Sequence, residues 1–435
     1  IAVLGSKRVE VSDGPAIKGI ASWFAEKYKD NAPSAGLHES GTAGLIPSLQ
    51  AAAILPTMNF RRGQFDGWKT IAQFSKGWGA YEMRGRGCWG CPIRCKRTFR
   101  ITDGAVPTGD DGFAAGPEYE TIAAFGPNLC VEDLTTILRA NVYCNEMGLD
   151  TISSGVTLGF LMECVERGLV RDRYLDDLDV RFGNPACILP LLESICERRG
   201  VGNLLAEGSL RASREIGQGS EEFAMQVKGQ EVPMHDPRGK TGVGLGYALA
   251  DHGADHMTAA HDSIFVQTGA YGLATSQPLG ILEPVSATSL GPRKVRLYLY
   301  TQMWWDTLKC LGACFFCVVP RGLMPVQMVF DSVRWATGWD FSLWEGMKAA
   351  DRAACMARVF NAREGYGPER DCLPSRFAER SGESGAGNPG IDPSKMSEAI
   401  SLYYGMRGWD PQTGIPTDAK LMELGLDWTG PIVSA

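Results

Sequence analysis

Three cysteines fall within eight residues, in the run Cys88-Trp-Gly-Cys91-Pro-Ile-Arg-Cys95. Thiols this close rarely arise from packing alone. At this spacing they can hold three corners of an iron–sulfur cube, with a remote cysteine at the fourth. A structural zinc site uses the same soft ligands but normally shows two separated CxxC or histidine pairs, so a lone triplet favours iron–sulfur. The fold must then return a distant cysteine to this segment. A second group, Lys309-Cys310-Leu311-Gly312-Ala313-Cys314-Phe315-Phe316-Cys317, offers three, and spacing does not choose among them. Cys144, Cys164, Cys187, Cys196, Cys355 and Cys372 fall mostly within helical patterns and read as inert buried thiols.

The remaining composition narrows the class. Thirteen cysteines with no signal peptide predict a reducing, cytoplasmic setting. Apolar residues make up 44% and charged residues 21%, an ordinary globular balance. No uncharged apolar run approaches the ~18 residues of a membrane span; the stretch Cys310 to Pro320 is too short, so no membrane insertion is expected. The formal charge of −7 argues against a nucleic-acid partner. A length of 435 residues predicts two or three domains. The chain opens on Ile1 without an initiator methionine and reads like the middle of a longer polypeptide.

Helical periodicity dominates. Leu134, Ile137 and Leu138 share a stripe over 132–144, and Val156, Phe160 and Cys164 over 151–168. Residues 186–199 and 203–216 repeat the pattern. Strand alternation is confined to Phe99–Thr102 and Phe223–Val227, so a mainly α chain of two helical lobes is predicted. The Gly/Pro/His-rich stretch from Gly229 to Asp262 interrupts the helices. It reads as a long functional loop, too polar for core, and places the boundary between lobes 1–228 and 229–435. Residues 380–395 read as an exposed connector.

At this point the motifs resemble those of the tungsten-dependent aldehyde ferredoxin oxidoreductases. The resemblance is carried by Cys88-x-x-Cys91-Pro-Ile-x-Cys95, Gly116-Pro117-Glu118-Tyr119-Glu120-Thr121, Cys144-Asn145-Glu146-Met147-Gly148-Leu149-Asp150, Leu205-Ala206-Glu207-Gly208, Asp236-Pro237-Arg238-Gly239 and Leu311-Gly312-x-Cys314. Asp371-x-Leu373-Pro374 and Arg407-Gly408-Trp409 extend it, in family order, through the tail. It implies two helical domains with a tungsten bis-molybdopterin between them, a [4Fe-4S] cluster close by, and magnesium bridging the pterin phosphates. It also implies an N-terminal β-rich base domain that is missing from this chain, either because this is a fragment or because another chain supplies it.

Carried over residue by residue, Cys88, Cys91, Cys95 and Cys314 become cluster ligands, Cys314 because it alone follows Leu-Gly-x. The two pterin-holding segments map to Asn145, Gly148, Leu149 and Asp150, and to Lys309, Leu311, Gly312 and Ala313. The family's first aspartate is replaced in both, by Asn145 and Lys309; asparagine can still accept a pterin N–H, and an ammonium cannot. Glu120 aligns with the acidic residue near tungsten and His256 with the active-site histidine, His261 being the neighbouring alternative. Oxidising an aldehyde with water needs a base for the proton and a Lewis acid for the oxygen.

Three functions follow as expectations. The first is an anaerobic aldehyde oxidoreductase that passes electrons to ferredoxin or an iron–sulfur partner subunit in a homo- or hetero-oligomer. The second is the tungsten subunit of a class II benzoyl-CoA-type reductase acting on an aromatic acyl-CoA, motivated by Cys130, which stands where aldehyde-oxidising members tend to have glycine and can offer the metal a thiolate. The third is a pterin-free electron-transfer subunit.

Overall fold

A computed structural model describes residues 5–7, 9–77, 81–100, 108–170, 175, 177–382 and 387–430. Helix accounts for 54% of it and strand for 6%, the mainly α architecture that the periodicity predicts. In the first half, α1 (Gly14–Lys27), α2 (Ala32–Ser40), α3 (Ile46–Ala51) and α4 (Trp68–Ile71) lead into a small sheet. After it come α5 (Tyr119–Phe125), α6 (Leu134–Met147), α7 (Thr151–Glu166), α8 (Ile188–Glu197), α9 (Val201–Leu205) and α10 (Ser209–Ile216). The second half holds α11 (Thr241–Leu249), α12 (Tyr271–Thr275), α13 (Pro292–Leu311), α14 (Val326–Thr337), α15 (Leu343–Arg363), α16 (Pro393–Arg407) and α17 (Asp418–Glu423).

Helix ends follow local chemistry. Asp133 caps α6 by accepting from the Thr136 N–H, and Gly148 stops it in the left-handed region. Asp150 then caps α7 through the Ser153 N–H. The pattern over 203–216 is two helices rather than one, because Gly208 at φ +81° breaks it. The larger departure lies in Gly229–Asp262. Far from being too polar for core, it contains α11, all nine residues of which are buried. Three glycines disguise this helix by weakening its apolar signal, yet they are what lets it sit close: a Cβ on Gly246 would lie 2.4 Å from Thr258 Oγ1, and one on Gly242 would lie 2.8 Å from Asp262 Oδ1.

The three-stranded antiparallel sheet has the order β1 (Met83–Arg86), β2 (Lys96–Arg100), β3 (Phe113–Ala115). Arg86 pairs with Lys96, so the connection between β1 and β2 is the cysteine loop itself. Of the strand predicted at Phe99–Thr102, the part through Arg100 lies in β2 and residues 101–102 fall outside the described residues. Of Phe223–Val227, only Gln226–Val227 (β4) forms a strand, paired with Gln230–Glu231 (β5), because Phe223 closes a 3₁₀ turn.

Packing does not break at residue 228. The largest apolar cluster joins Phe125, Leu161 and Leu192 to Leu245, Tyr403 and Trp409, and α1 packs on α14. A polar knot ties the halves as well. Glu163 on α7, wholly buried, accepts from Arg376 Nη1 and Nη2 (2.8 and 2.7 Å), from Asn59 Nδ2 (2.7 Å) and from Arg167. Burial alone would raise its pKa, but the Arg376 and Asn59 contacts outweigh that and hold it at about 2. The carboxylate therefore stabilises the fold above its unfolded pKa, and this contribution is lost as pH falls toward about 2. Glu163→Gln leaves Arg376 buried without its counter-charge. The variant is expected to lose about 3–5 kcal/mol, read as a lower urea midpoint at neutral pH with a flattened acid limb.

Candidate functional site

The 3₁₀ turn Pro237–Gly239 and α11 carry the buried loop before them against the first turn of α5, bringing Glu120 to His235 and His256. Glu120 Oε2 accepts from the Met234 N–H at 2.7 Å, which fixes the carboxylate. Its Oε1 is buried and makes no hydrogen bond, although His235 Nε2 lies 3.1 Å away and His256 Nε2 3.6 Å away. A carboxylate oxygen and two imidazole nitrogens thus meet within 4.8 Å of one another. Tyr119 and Tyr247 wall the group in, with hydroxyls donating to the carbonyls of Met234 and His235.

Behind the histidines lies buried Lys240. Its Nζ is 3.3 Å from Nδ1 of both His235 and His261, and His261 Nε2 lies 2.8 Å from the His256 carbonyl. Burial, reinforced by the lysine, pushes both His235 and His261 well below the ordinary imidazole range, so both are neutral. Burial, with Arg321 nearby, lowers Lys240 to about 7. Among the described residues neither Lys240 nor Arg321 has a carboxylate in ion-pair range, whereas nearby Asp262 is taken up by Lys294 and the amides of Gly242 and Val243.

The thiols converge from the two distant segments. Cys91, Cys95 and Cys317 border one apolar cluster with Phe24, Tyr28 and Ile93. Cys95 lies in the field of Cys314, Cys91 and Glu118. Cys314 is hydrogen-bonded by Cys317 and by the amides of Phe316 and Cys317, which lower its pKa to about 6. Cys317 in turn neighbours Cys91. Cys310 points instead toward Asp306 and Lys309. Cys88, beside the fully exposed Trp89, is solvent-facing on the same hairpin. Glu118, two residues before Glu120, acts on Cys95 and accepts from Thr42 Oγ1 at 2.5 Å, so one short segment borders both the thiols and the carboxylate–imidazole group.

The two expected pterin segments prove to be the same structure twice. α6 and α13 both end on a left-handed glycine, Gly148 at φ +71° and Gly312 at φ +66°. In each, the amide after the glycine reaches back to close the helix, Leu149 N to Cys144 O and Ala313 N to Leu308 O. Asn145, Gly148, Asp150, Lys309, Leu311 and Gly312 are exposed and Leu149 and Ala313 half-buried. The loop Asp251–His256 lies between the two ends: His252 shares a cavity of about 460 Å³ with Asp150 and Lys228, and Lys309 acts on both His252 and Asp255. Lys309 itself pairs with Asp306 at 3.4 Å. A separate cavity of about 520 Å³ beside Leu373 and Tyr404 holds none of these groups.

Cys130 is not brought to this centre. It lies past the far end of α5 from Glu120, left-handed at φ +59°, among Arg61, Arg62 and the Met58 backbone, and burial raises its thiol to about 11. The position taken by glycine elsewhere is explained by its backbone conformation.

A family model described as "Aldehyde ferredoxin oxidoreductase, domains 2 & 3" matches residues 19–426. The chain belongs to this family. The tungsten-containing aldehyde ferredoxin oxidoreductase of Thermococcus kodakarensis is 34% identical over 430 residues, covering 98% of this chain and 66% of the relative. That of Pyrococcus horikoshii is 33% identical over 433 residues, with 98% and 67% covered. The chain thus spans about two thirds of the length of these relatives. A solved active-site complex of benzoyl coenzyme A reductase with 1,5-dienoyl-CoA shares the fold at a TM-score of 0.75 and 20% identity, over 98% of this chain and 67% of that one.

Within the family frame, sequence reasoning missed His235, Lys240 and Arg321. The first two flank Asp236-Pro237-Arg238-Gly239, so that motif was the available signal; nothing in the sequence around Arg321 marks it. No Cβ contact within 4 Å awaits at Gly148 or Gly312, so alanine there meets only the left-handed backbone cost. Gly148→Ala and Gly312→Ala are each expected to lose about 1–2 kcal/mol in urea titrations, with neither altering the buried core.

Proposed function

We propose that this chain forms the two helical domains of a tungsten bis-pterin oxidoreductase. It oxidises an aldehyde to a carboxylate with water and sends the electrons through a [4Fe-4S] cluster to ferredoxin or an iron–sulfur subunit. One observation carries the reading: the orphaned, buried Glu120 Oε1 faces two imidazoles beside a set of thiols gathered from both halves of the chain. A buried acceptor without a partner is costly unless a reacting group uses it. The unpaired cations Lys240 and Arg321 fit an anionic group at the same place, and the soft donors fit a cluster.

In this reading Cys88, Cys91, Cys95 and Cys314 would hold the cluster, the ends of α6 and α13 would hold the pterins, and magnesium would serve as a further cofactor there. The bound tungsten group supplies a two-electron acceptor and a Lewis acid. Glu120, fixed through Oε2 by the Met234 amide, takes a proton from water at Oε1 as the water adds to the carbonyl carbon. His256 orients that water from the other side of Oε1. Neutral His235 and His261 keep the pocket from gaining charge as protons leave.

The cysteine hairpin supports an acidic electron partner. Arg84, Arg86, Arg94 and Lys96 are exposed around Trp89, in a chain of net charge −7. Among the described residues Arg86 and Arg94 have no ion pair. The acyl-CoA alternative rests on likeness of fold, since Cys130 lies at the other end of α5; the pterin-free alternative predicts no pterin.

Elemental counts of W, Mo, Fe and Zn per chain, pterin stoichiometry and aldehyde-dependent viologen reduction test the proposal together. Tungsten with pterin and viologen reduction by an aldehyde is expected. Tungsten-loaded protein silent toward every aldehyde but active on an aromatic acyl-CoA selects the second function. Cys314→Ser is expected to lose iron where Cys310→Ser keeps it, and Cys130→Ala should leave the sulfur count at the tungsten absorption edge unchanged.

A further inference from the structure

Lys240 is an unusual residue to bury. Among the described residues it has no carboxylate in ion-pair range, and its Nζ sits 3.3 Å from Nδ1 of His235, whose Nε2 is 3.1 Å from the orphaned Glu120 Oε1. An ammonium donates and cannot accept, so each Nδ1 it meets must be an acceptor. While Lys240 is an ammonium, His235 therefore carries its proton on Nε2, the atom nearest Glu120. His261 carries its own on Nε2 as well, where it donates to the His256 carbonyl.

We propose that Lys240, His235 and Glu120 form a proton relay in which the lysine is the store for the proton that Glu120 removes. The inference rests on the aldehyde-oxidising reading and deepens it. Two arrangements balance. In one, Lys240 is an ammonium, His235 is protonated on Nε2 and Glu120 is a carboxylate. In the other, Lys240 is an amine, His235 is protonated on Nδ1 and Glu120 is a carboxylic acid. Moving between them takes two hops, Glu120 Oε1 to His235 Nε2 and His235 Nδ1 to Lys240 Nζ, and leaves no net charge on the imidazole. Oxidation of an aldehyde by water releases protons beside a buried carboxylate, so Glu120 is cleared in each turnover by passing its proton to the Lys240 amine, and the resulting ammonium gives that proton up to solvent before the next.

The surroundings leave this path unobstructed. Asp262 is occupied by Lys294 and two amides. Tyr119 and Tyr247 donate to carbonyls. His256 sits between Glu120 and Asp255. Arg321 faces Lys240, both histidines and Glu120. Burial and Arg321 lower the lysine to about 7, which makes it an acceptor near neutrality. The bent His235–Glu120 contact is of the kind that tightens when substrate fills a site.

Lys240→Arg separates a relay from a structural post, because arginine keeps the charge and the donors but cannot give up its proton. The relay predicts that this variant loses at least ~10-fold in kcat for aldehyde-dependent viologen reduction. It also predicts that the rise of kcat through neutral pH disappears, and that His235→Gln does the same. Wild-type rate and pH profile in Lys240→Arg would overturn it. A second readout does not depend on turnover: the ¹³Cε resonance of Lys240, assigned by its loss in Lys240→Met, should titrate near neutral pH and move lower in Glu120→Gln. A midpoint at the ordinary lysine value rejects the relay. A near-neutral midpoint in a protein that oxidises no aldehyde rejects the substrate assignment and leaves the relay standing.

Discussion

The geometry of the whole molecule answers to one requirement, that two cysteine groups more than two hundred residues apart arrive at the same place. The first group is the connection of a β-hairpin, and the second follows a long helix that must end at the right residue. Gly312 supplies that end by turning left-handed, and α1 supplies the apolar surface, Phe24 and Tyr28, against which Cys91, Cys95 and Cys317 are gathered. Since α1 also packs on α14, a segment from the start of the chain braces the second half exactly where the thiols meet.

Around that junction the chain buries charge in two different ways. Glu163 is a solved problem: two arginines and an asparagine saturate its lone pairs, and the knot closes the two halves over one another. Glu120 is an open one, with a fixed oxygen and a bare oxygen. A fold that can satisfy the first carboxylate so completely has the means to satisfy the second. It leaves Oε1 bare between two imidazoles, which is the observation on which the proposed role of Glu120 rests.

Much of this was legible in residues. The cysteine spacing, the stripes of α6 and α7 and the glycine stops rest on local pattern, whereas Glu120 and His256 are singled out by the family resemblance. What escaped did so for identifiable reasons. α11 was hidden because Gly242, Gly244 and Gly246 dilute its apolar face, although close packing is why they are there. Lys240 and Arg321 escaped because a cation without an ion pair has no signature in sequence; only the surrounding atoms show that, among the described residues, no carboxylate comes within ion-pair range of either, although Glu120 acts on both. Cys130 reads in the sequence as a residue that can offer the metal a thiolate where relatives tend to have glycine; its backbone is left-handed, a conformation that glycine adopts without strain.

The altered first aspartates of the two helix ends can be understood in the same terms. Asn145 is exposed at the end of α6, free to present an amide oxygen as an aspartate would present a carboxylate. Lys309 stands one turn from Asp306, and the pair at 3.4 Å keeps an acidic group at the end of α13 while adding a cation to it. The loop that follows α11 then meets a positive charge at this end, and its Asp255 reaches toward both Lys309 and His256. The substitution thus joins the end of α13 to the Glu120–histidine group through one aspartate, so that the helix end and the buried carboxylate belong to a single connected set of charges.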